Sequence, residues 1–345
     1  MLLTADAVGG VWTYALELIE GLAERGIEVD LAVMGPAPTP EQRARLPELA
    51  GYHEAPYALE WTGDPWEDVE RAAQWLLQLA DVRRPDLVHV NGYAHAAVDF
   101  GVPVLVVGHS CVLSWHQAVY RRPAPRRWDR YRAAVAEGLG AADVVVAPTR
   151  AMLSALEHLY ELDGETLVIP NGISAAGRGP LPKRPYVLGS GRVWDEAKNL
   201  GALERVGPQL HWPVIVAGEG GSLGRVEYPT LRRLLGEAAV FAAPAKYEPF
   251  GLAALEAGLA GCALVLGDLM SLREVWGRAA LYVDPFGDDA LAAALARVIE
   301  DAALRKHYAA AARERALEYS RERMAAAYSA VYERLVTRTL QEVPA

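Results

Sequence analysis

The sequence predicts an α/β protein of two parallel sheets flanked by helices. Three observations carry the prediction. Short apolar runs alternate with longer segments of helical period; the alternation restarts after a Gly- and Pro-rich stretch at 172–185; and 345 residues exceed what a single hydrophobic core usually serves. Two halves, residues 1–172 and 173–322, joined by a hinge, are expected to face each other across a cleft. Ligands of open α/β sheets bind beyond the carboxyl ends of the strands, so chemistry is expected there.

In the first half the strand-like runs are residues 2–5, 28–34, 87–90, 102–107 and 144–147. Between the first two, Trp12, Ala15, Leu16, Ile19, Leu22 and Ala23 follow the i, i+3, i+4, i+7 spacing of an amphipathic helix. In the second half the runs are 186–190, 214–217, 238–242 and 263–266, followed by three predicted helices. A 52% hydrophobic share with 23% charged residues is that of a globular chain. A net charge of −10 argues against nucleic acid as a partner, because such binding draws on an excess of Lys and Arg. Cys111 and Cys262 have no metal-ligand spacing and are expected as reduced, buried thiols. The first residues have no basic flank of a signal peptide, and the longest apolar stretch, 251–267, is broken by Glu256 and several glycines. A soluble, cytoplasmic protein is expected.

The most informative segment runs from Glu248 to Glu256, directly after the strand-like run 240–244. Pro249 suits a helix start, so the backbone N–H groups of Phe250, Gly251 and Leu252 are expected to point outward and attract phosphate. The two carboxylates accept hydrogen bonds only, which suits the paired hydroxyls of a sugar or ribose. A surface loop and a solvated helix would show the same residues. Gly9-Gly10 lies between the first strand and the first helix, where missing side chains let amides approach an anion, although a tight turn also explains it. Arg192 and Lys198 follow the first strand of the second half and could neutralise a diphosphate without a metal; the intervening Asp195 and Glu196 equally fit a solvated loop. His109 ends the run 102–107, a place where histidines are more often structural than catalytic.

In order and spacing these residues, with Pro148-Thr149-Arg150 and Ile169-Pro170-Asn171-Gly172, resemble the family 4 glycosyltransferases along nearly the whole chain. The resemblance implies the GT-B fold of two Rossmann-like domains, with a final helix at about 323–345 crossing back onto the first, acceptor-side domain. It implies a retaining transferase that takes hexose from a nucleotide-sugar donor, UDP-sugar before GDP- or ADP-sugar, without cofactor or metal. Arg192 and Lys198 match the pair that grips the departing diphosphate. Glu256 matches the acid on the ribose, and Glu248 with the following amides of Phe250, Gly251 and Leu252 meets the donor sugar and phosphate. Gly9 and Gly10 match the glycine turn, His109 a histidine orienting the sugar, and Asn171 a donor-side residue. In the family the acceptor attacks on the face the nucleotide leaves, so no protein nucleophile is required.

Two departures stand out. The first strand begins almost at Met1, shorter than in relatives, which is expected to weaken an edge. Only residues 199–247 separate Lys198 from Glu248, so the helix that relatives place after Gly218-Glu219-Gly220, near the nucleobase, is missing. Arg121, Arg122, Arg126, Arg127, Arg130 and Arg132, with Trp115 and Trp128, could meet an anionic acceptor or make weak peripheral membrane contact; a solvated helix face is the alternative. The acceptor itself, glycan, lipid or small molecule, is not legible. A nucleotide-sugar epimerase, a GT-B sugar phosphorylase and a non-catalytic sugar-nucleotide binder remain competing readings. A nicotinamide oxidoreductase is disfavoured, because Gly218-x-Gly220 has Leu223 where the third glycine belongs.

Overall fold

The computed structural model describes residues 1–342, so the last residues of the expected final helix, 343–345, lie outside the described residues. The chain divides into two compact units. One comprises residues 1–117, 122–172 and the segment from 321 onward; the other comprises 118–121 and 173–320. In chain order the elements up to residue 172 are β1 (Leu2–Asp6), α1 (Gly10–Ala23), β2 (Asp30–Met34), the single turn α2 (Pro40–Arg43), β3 (Gly51–Ala55), α3 (Trp66–Arg83), β4 (Val88–Val90), β5 (Val104–Val107), α4 (Val112–Tyr120), α5 (Asp129–Ala141), β6 (Val144–Ala147), α6 (Arg150–Leu159) and β7 (Glu165–Val168). The strands form one sheet in the order β3-β2-β1-β4-β5-β6-β7, and every pairing is parallel.

The local sequence explains these elements. All residues of β1, β2, β5 and β6 are buried, as befits strands covered on both faces. On α1 the expected stripe buries Trp12, Ala15, Leu16, Ile19 and Leu22, whereas Ala23 is exposed and outside it. Thr149 caps α6 by accepting from the Met152 N–H at 3.0 Å, which accounts for the Pro148-Thr149-Arg150 step. The short first strand is not an edge: β1 lies between β2 and β4, and five of its residues pair with β2. The expectation of a weakened edge is therefore wrong.

The second unit contains β8 (Arg184–Ser190), α7 (Gly201–Val206), β9 (Val214–Ala217), α8 (Tyr228–Glu237), β10 (Ala238–Ala243), α9 (Leu252–Leu259), β11 (Ala263–Gly267), α10 (Met270–Trp276), β12 (Leu281–Val283), α11 (Asp288–Glu300) and α12 (Ala302–Ala316). Its five parallel strands take the order β12-β11-β10-β8-β9. Successive strand residues point to opposite faces, and the core divides accordingly. Leu188, Phe241, Leu264 and Leu266 pack with α9, α10 and α12 on one face. Val187, Val240, Ala242 and Val265 pack with α7 and α11 on the other. Both cysteines are free and buried. No described helix is long and apolar enough to cross a membrane.

The sequence reading missed β3, β7 and β12, and it expected three helices after β11 where α10, β12, α11, α12 and a final helix stand. The three missed strands are all sheet edges. Edge strands are covered on fewer sides, so they need no continuous apolar run, and β3 and β7 are accordingly only half-buried.

The final helix, α13 (Arg321–Glu342), belongs to the first unit and packs on α1. Glu17 of α1, 4% exposed, receives Arg321 Nε at 2.8 Å, and Glu20 also contacts that guanidinium. The two helices meet closely at Gly21, where an added Cβ would lie 2.6 Å from Ala325 Cβ and 3.0 Å from Arg321 Cγ. Gly21→Ala would gain about 1 kcal/mol in helix propensity. Overpacking of a tight contact costs about 1–3 kcal/mol, and here it should win. The variant is therefore expected to unfold at lower temperature, and adding Ala325→Gly should recover most of the loss; two strictly additive losses would show that the contact is not the cause.

Candidate active site

In the second unit the chain leaves β8 through Gly191 into a tight turn that places both predicted cations. The Asp195 N–H donates to the Arg192 carbonyl at 3.1 Å, and the Lys198 N–H donates to the Asp195 carbonyl at 2.9 Å. Asp195, 7% exposed, accepts from Arg192 Nη2 at 2.8 Å and from the Ala197 N–H at 3.0 Å. Burial pushes its carboxyl pKa upward, but the hydrogen bond and charge of Arg192, the charge of Lys198 and the Ala197 amide outweigh it, so the pKa lies below the ordinary value. Asn199, at φ 51°, donates through Nδ2 to the carbonyls of Pro244 and Pro285 at 3.0 and 2.7 Å, tying this turn to the loops after β10 and β12. Asp195, which looked like part of a solvated loop, holds the arginine. Trp194, 59% exposed, lies with its ring centroid 5.4 Å from the same guanidinium.

Lys198 Nζ reaches Glu248 Oε2 at 2.6 Å, and both side chains are largely buried. The Glu248 carbonyl accepts from Ser271 Oγ at 2.6 Å, which fixes the loop from the α10 side. The helix after Glu248 starts later than the proline suggested. Gly251, at φ 94°, is the N-cap, and α9 begins at Leu252, so Pro249 lies outside it. A left-handed φ there is one that glycine adopts without strain. The first helical bond runs from the Leu255 N–H to the Gly251 carbonyl, so the amides left by helix geometry are those of Gly251, Leu252, Ala253 and Ala254, while that of Phe250 lies before them. Phe250 is 3% exposed, and its ring stands edge-on to Tyr319 with centroids 5.5 Å apart. Its side chain anchors the loop, and only its backbone is available to a ligand.

Glu256 lies one turn into α9, where Tyr228 OH donates to its Oε1 at 2.7 Å. Arg178 donates to that hydroxyl from Nε and Nη2 at 3.2 and 3.0 Å, and its Nε is 3.9 Å from the carboxylate. Burial, with the charge of Glu256 second, raises the Tyr228 pKa to about 12. The hydroxyl therefore remains a donor. Neither Arg178 nor Tyr228 was foreseen: one lies in the Gly-rich connection, the other on a helix lacking a recognisable motif. The segment 218–227 contains no helix, and the next one, α8, starts at Tyr228.

In the first unit Gly9, at φ 91°, is the N-cap of α1, and Gly10 is that helix's first residue; both are exposed. His109 follows β5 and is half-buried. Its Nε2 lies 2.7 Å from Asn91 Oδ1, and its ring meets Tyr14 edge-on with centroids 4.4 Å apart. Asn171 is 5% exposed, and its Oδ1 has no hydrogen-bond partner among the described residues. The structure thus joins Lys198 to Glu248 directly, Arg192 to Asp195, and Glu256 to Tyr228 and Arg178, while His109 and the glycine turn belong to the other unit. Among the described residues no group of three or more His, Cys, Asp or Glu side chains could hold a metal ion.

The family model described as Glycosyltransferase Family 4 matches residues 8–176, and that described as Glycosyl transferases group 1 matches residues 221–315. A glycogen synthase of Mycobacterium tuberculosis is 28% identical over 298 residues, spanning 74% of this chain and 71% of that protein. Sucrose-phosphate synthase from Thermosynechococcus elongatus superposes with a TM-score of 0.81 at 20% identity, covering 98% of this chain and 100% of that one. HepE from Anabaena, solved in complex with UDP and glucose, superposes with a TM-score of 0.71 at 16% identity, covering 97% of this chain and 100% of that one. These likenesses establish the GT-B class for the two Rossmann-like units. With both family models matched in order, the chain belongs to the family 4 glycosyltransferases, enzymes of sugar transfer.

Proposed function

We propose that the chain transfers a hexose from a nucleotide-diphosphate donor, UDP-sugar before GDP- or ADP-sugar, to a hydroxyl acceptor, with retention at the anomeric carbon and without a metal. The carrying observation is the set Arg192, Asp195, Lys198 and Glu248 at the carboxyl ends of β8 and β10, beside the start of α9. Two cations are held there by two carboxylates. A diphosphate entering this set offers the cations further charge-assisted partners beside the two carboxylates, and helix amides add to its attraction. As the bond from the anomeric carbon to phosphate oxygen breaks, charge builds on the leaving diphosphate, where fixed cations stabilise the transition state more than the ground state. The acceptor oxygen bonds to the anomeric carbon on the face that the diphosphate leaves, and its proton passes to a donor phosphate oxygen.

Glu256 is assigned to the ribose hydroxyls, with Tyr228 and Arg178 holding its carboxylate in place. Glu248 and the backbone after it meet the sugar and phosphate, Gly9 and Gly10 face the diphosphate, His109 orients the sugar and Asn171 is a donor-side residue. HepE, which binds UDP and glucose, supports a uridine nucleotide. The acceptor is a glycan, a lipid or a small molecule. The arginines at 121, 122, 126, 127, 130 and 132 are all exposed and offer a weak peripheral contact to an anionic membrane, although Arg130 already pairs with Glu70 at 3.1 Å. A cytoplasmic setting accords with the two free thiols.

Lys198→Ala and Arg192→Ala should each lower kcat on the order of a hundredfold or more, equivalent to about 3 kcal/mol of lost charge stabilisation. Release of UDP from UDP-glucose across an acceptor panel measures this, and near-normal turnover in both variants would overturn the assignment. Chelator should leave the rate unchanged; a loss restored by Mg²⁺ would remove the metal-free scheme. In a thermal-shift panel UDP should raise the unfolding midpoint above GDP or ADP at equal concentration. A ligand at about a hundred times its Kd adds roughly 2.7 kcal/mol. Equal shifts for all three would defeat the preference for uridine.

A further inference from the structure

Asn91, which directly follows β4, is held at two points by β1. Its backbone N–H donates to Thr4 Oγ1 at 2.9 Å, and its Nδ2 donates to the Thr4 carbonyl at 2.6 Å. A carbonyl oxygen can only accept, so that contact orients the amide and leaves Oδ1 facing the His109 ring. Oδ1 can itself only accept, so the 2.7 Å contact with His109 Nε2 requires the proton on Nε2. The lone pair then resides on Nδ1, which makes no hydrogen bond among the described residues. The ring plane is fixed by Tyr14.

We propose that Asn91 locks His109 in the Nε2–H tautomer so that Nδ1 accepts a hydrogen bond from a hydroxyl of the donor sugar, which makes Asn91 a positioning residue for sugar transfer. The inference rests on the assignment of His109 to the sugar made above. Desolvation lowers the His109 pKa to about 3. The ring is therefore uncharged in the working range, with one donor and one acceptor nitrogen. His89, which lies nearby, is lowered to about 3 as well, by burial first and then by His109. Its own nitrogens face Tyr332 OH at 2.6 Å and Tyr14 OH at 3.4 Å. The consequence is a selection rule. A sugar hydroxyl supplies the proton that Nδ1 needs, whereas a deoxy carbon, an ether or a carboxylate placed there supplies none.

The test uses the full chain labelled with ¹⁵N-histidine, the His109 signals being assigned by their loss in His109→Gln. At neutral pH the wild type should show the Nε2–H tautomer, and Asn91→Leu should lose it or show a mixture. The Asn91→Leu variant should also lose kcat on the order of tenfold, the usual worth of one neutral hydrogen bond, with little change in KM. Asn91→Asp is the near-isosteric second variant, which gives up the donation to the Thr4 carbonyl but keeps the acceptor and the backbone bond to Thr4 Oγ1 and places a carboxylate beside Nε2. Its kcat should acquire an acid limb, falling as pH falls, because the charged imidazolium is a donor at both nitrogens and cannot accept. The titratable groups facing the ring are Tyr14 of α1 and His89 of β4, and behind them Tyr328 of α13 packs on both and Tyr332 of α13 on His89; the tyrosine pKa values all lie above the ordinary range, and His89 is depressed. An Nδ1–H tautomer in the wild type, or an unchanged tautomer in Asn91→Leu, would overturn the proposal and leave the cation assignment standing. The stated tautomer with wild-type turnover and pH profile in both variants would instead remove His109 from the donor sugar, and the proposed role of Asn91 with it.

Discussion

The contact between Lys198 and Glu248 is the constraint around which the second unit's site is built. An ammonium taken out of water and left unpaired costs several kcal/mol, so the sequence must supply a counter-charge wherever it half-buries a cation. Glu248 supplies it for Lys198 and Asp195 for Arg192, and a set of uncharged contacts then fixes the geometry. Asn199 ties the cation turn to the Pro244 and Pro285 carbonyls, and Ser271 Oγ holds the Glu248 carbonyl. The result is a pair of positive charges whose orientation is set before any ligand arrives. That preorganisation is the property electrostatic catalysis needs, because little reorganisation is then left for the moment when charge develops.

What was legible in the sequence follows from how each feature is encoded. Interior strands such as β1, β5, β6, β10 and β11 are covered on both faces and write themselves as apolar runs. Their recurrence was enough to give the α/β class. The edges β3, β7 and β12 carry mixed residues because only part of their surface is covered, so they left no run to read. The two cations and two acids were found because their spacing is contiguous and their chemistry distinctive. Arg178, Tyr228 and Asn91 were not, since each meets its partner only through the fold: Tyr228 and Glu256 are 28 residues apart in the chain, and Asn91 and Thr4 are 87 apart. The proline rule misplaced the start of α9 for a related reason. Gly251 caps that helix through a left-handed backbone, which a proline three residues before the first helical position does not announce.

The first unit solves a different problem with different chemistry. Around β4 it gathers Tyr14, His89, Tyr328 and Tyr332, and burial pushes each titratable group toward its neutral form. Hydrogen bonding there depends on tautomers and hydroxyl rotors in place of formal charge. The second unit concentrates fixed charge.

The segment after β9 shows how a sheet edge is satisfied. β9 is a sheet edge, so no neighbouring strand pairs the outward backbone groups of Val216. The turn from Gly218 to Gly224 folds back to serve them: Ser222 Oγ accepts from the Val216 N–H at 3.0 Å, and the Leu223 N–H donates to the Val216 carbonyl at 3.0 Å. To do so the chain passes close under the cation turn. A Cβ at Gly218, which has φ 148°, would lie 2.0 Å from the Gly191 carbonyl oxygen, so that position requires glycine. Of the Gly218-x-Gly220 pair, which resembles a truncated dinucleotide fingerprint, Gly218 is therefore accounted for by packing against Gly191 and Gly220 by its φ of 88°. The same close approach seats the edge loop against the turn that carries Arg192, without touching its charges.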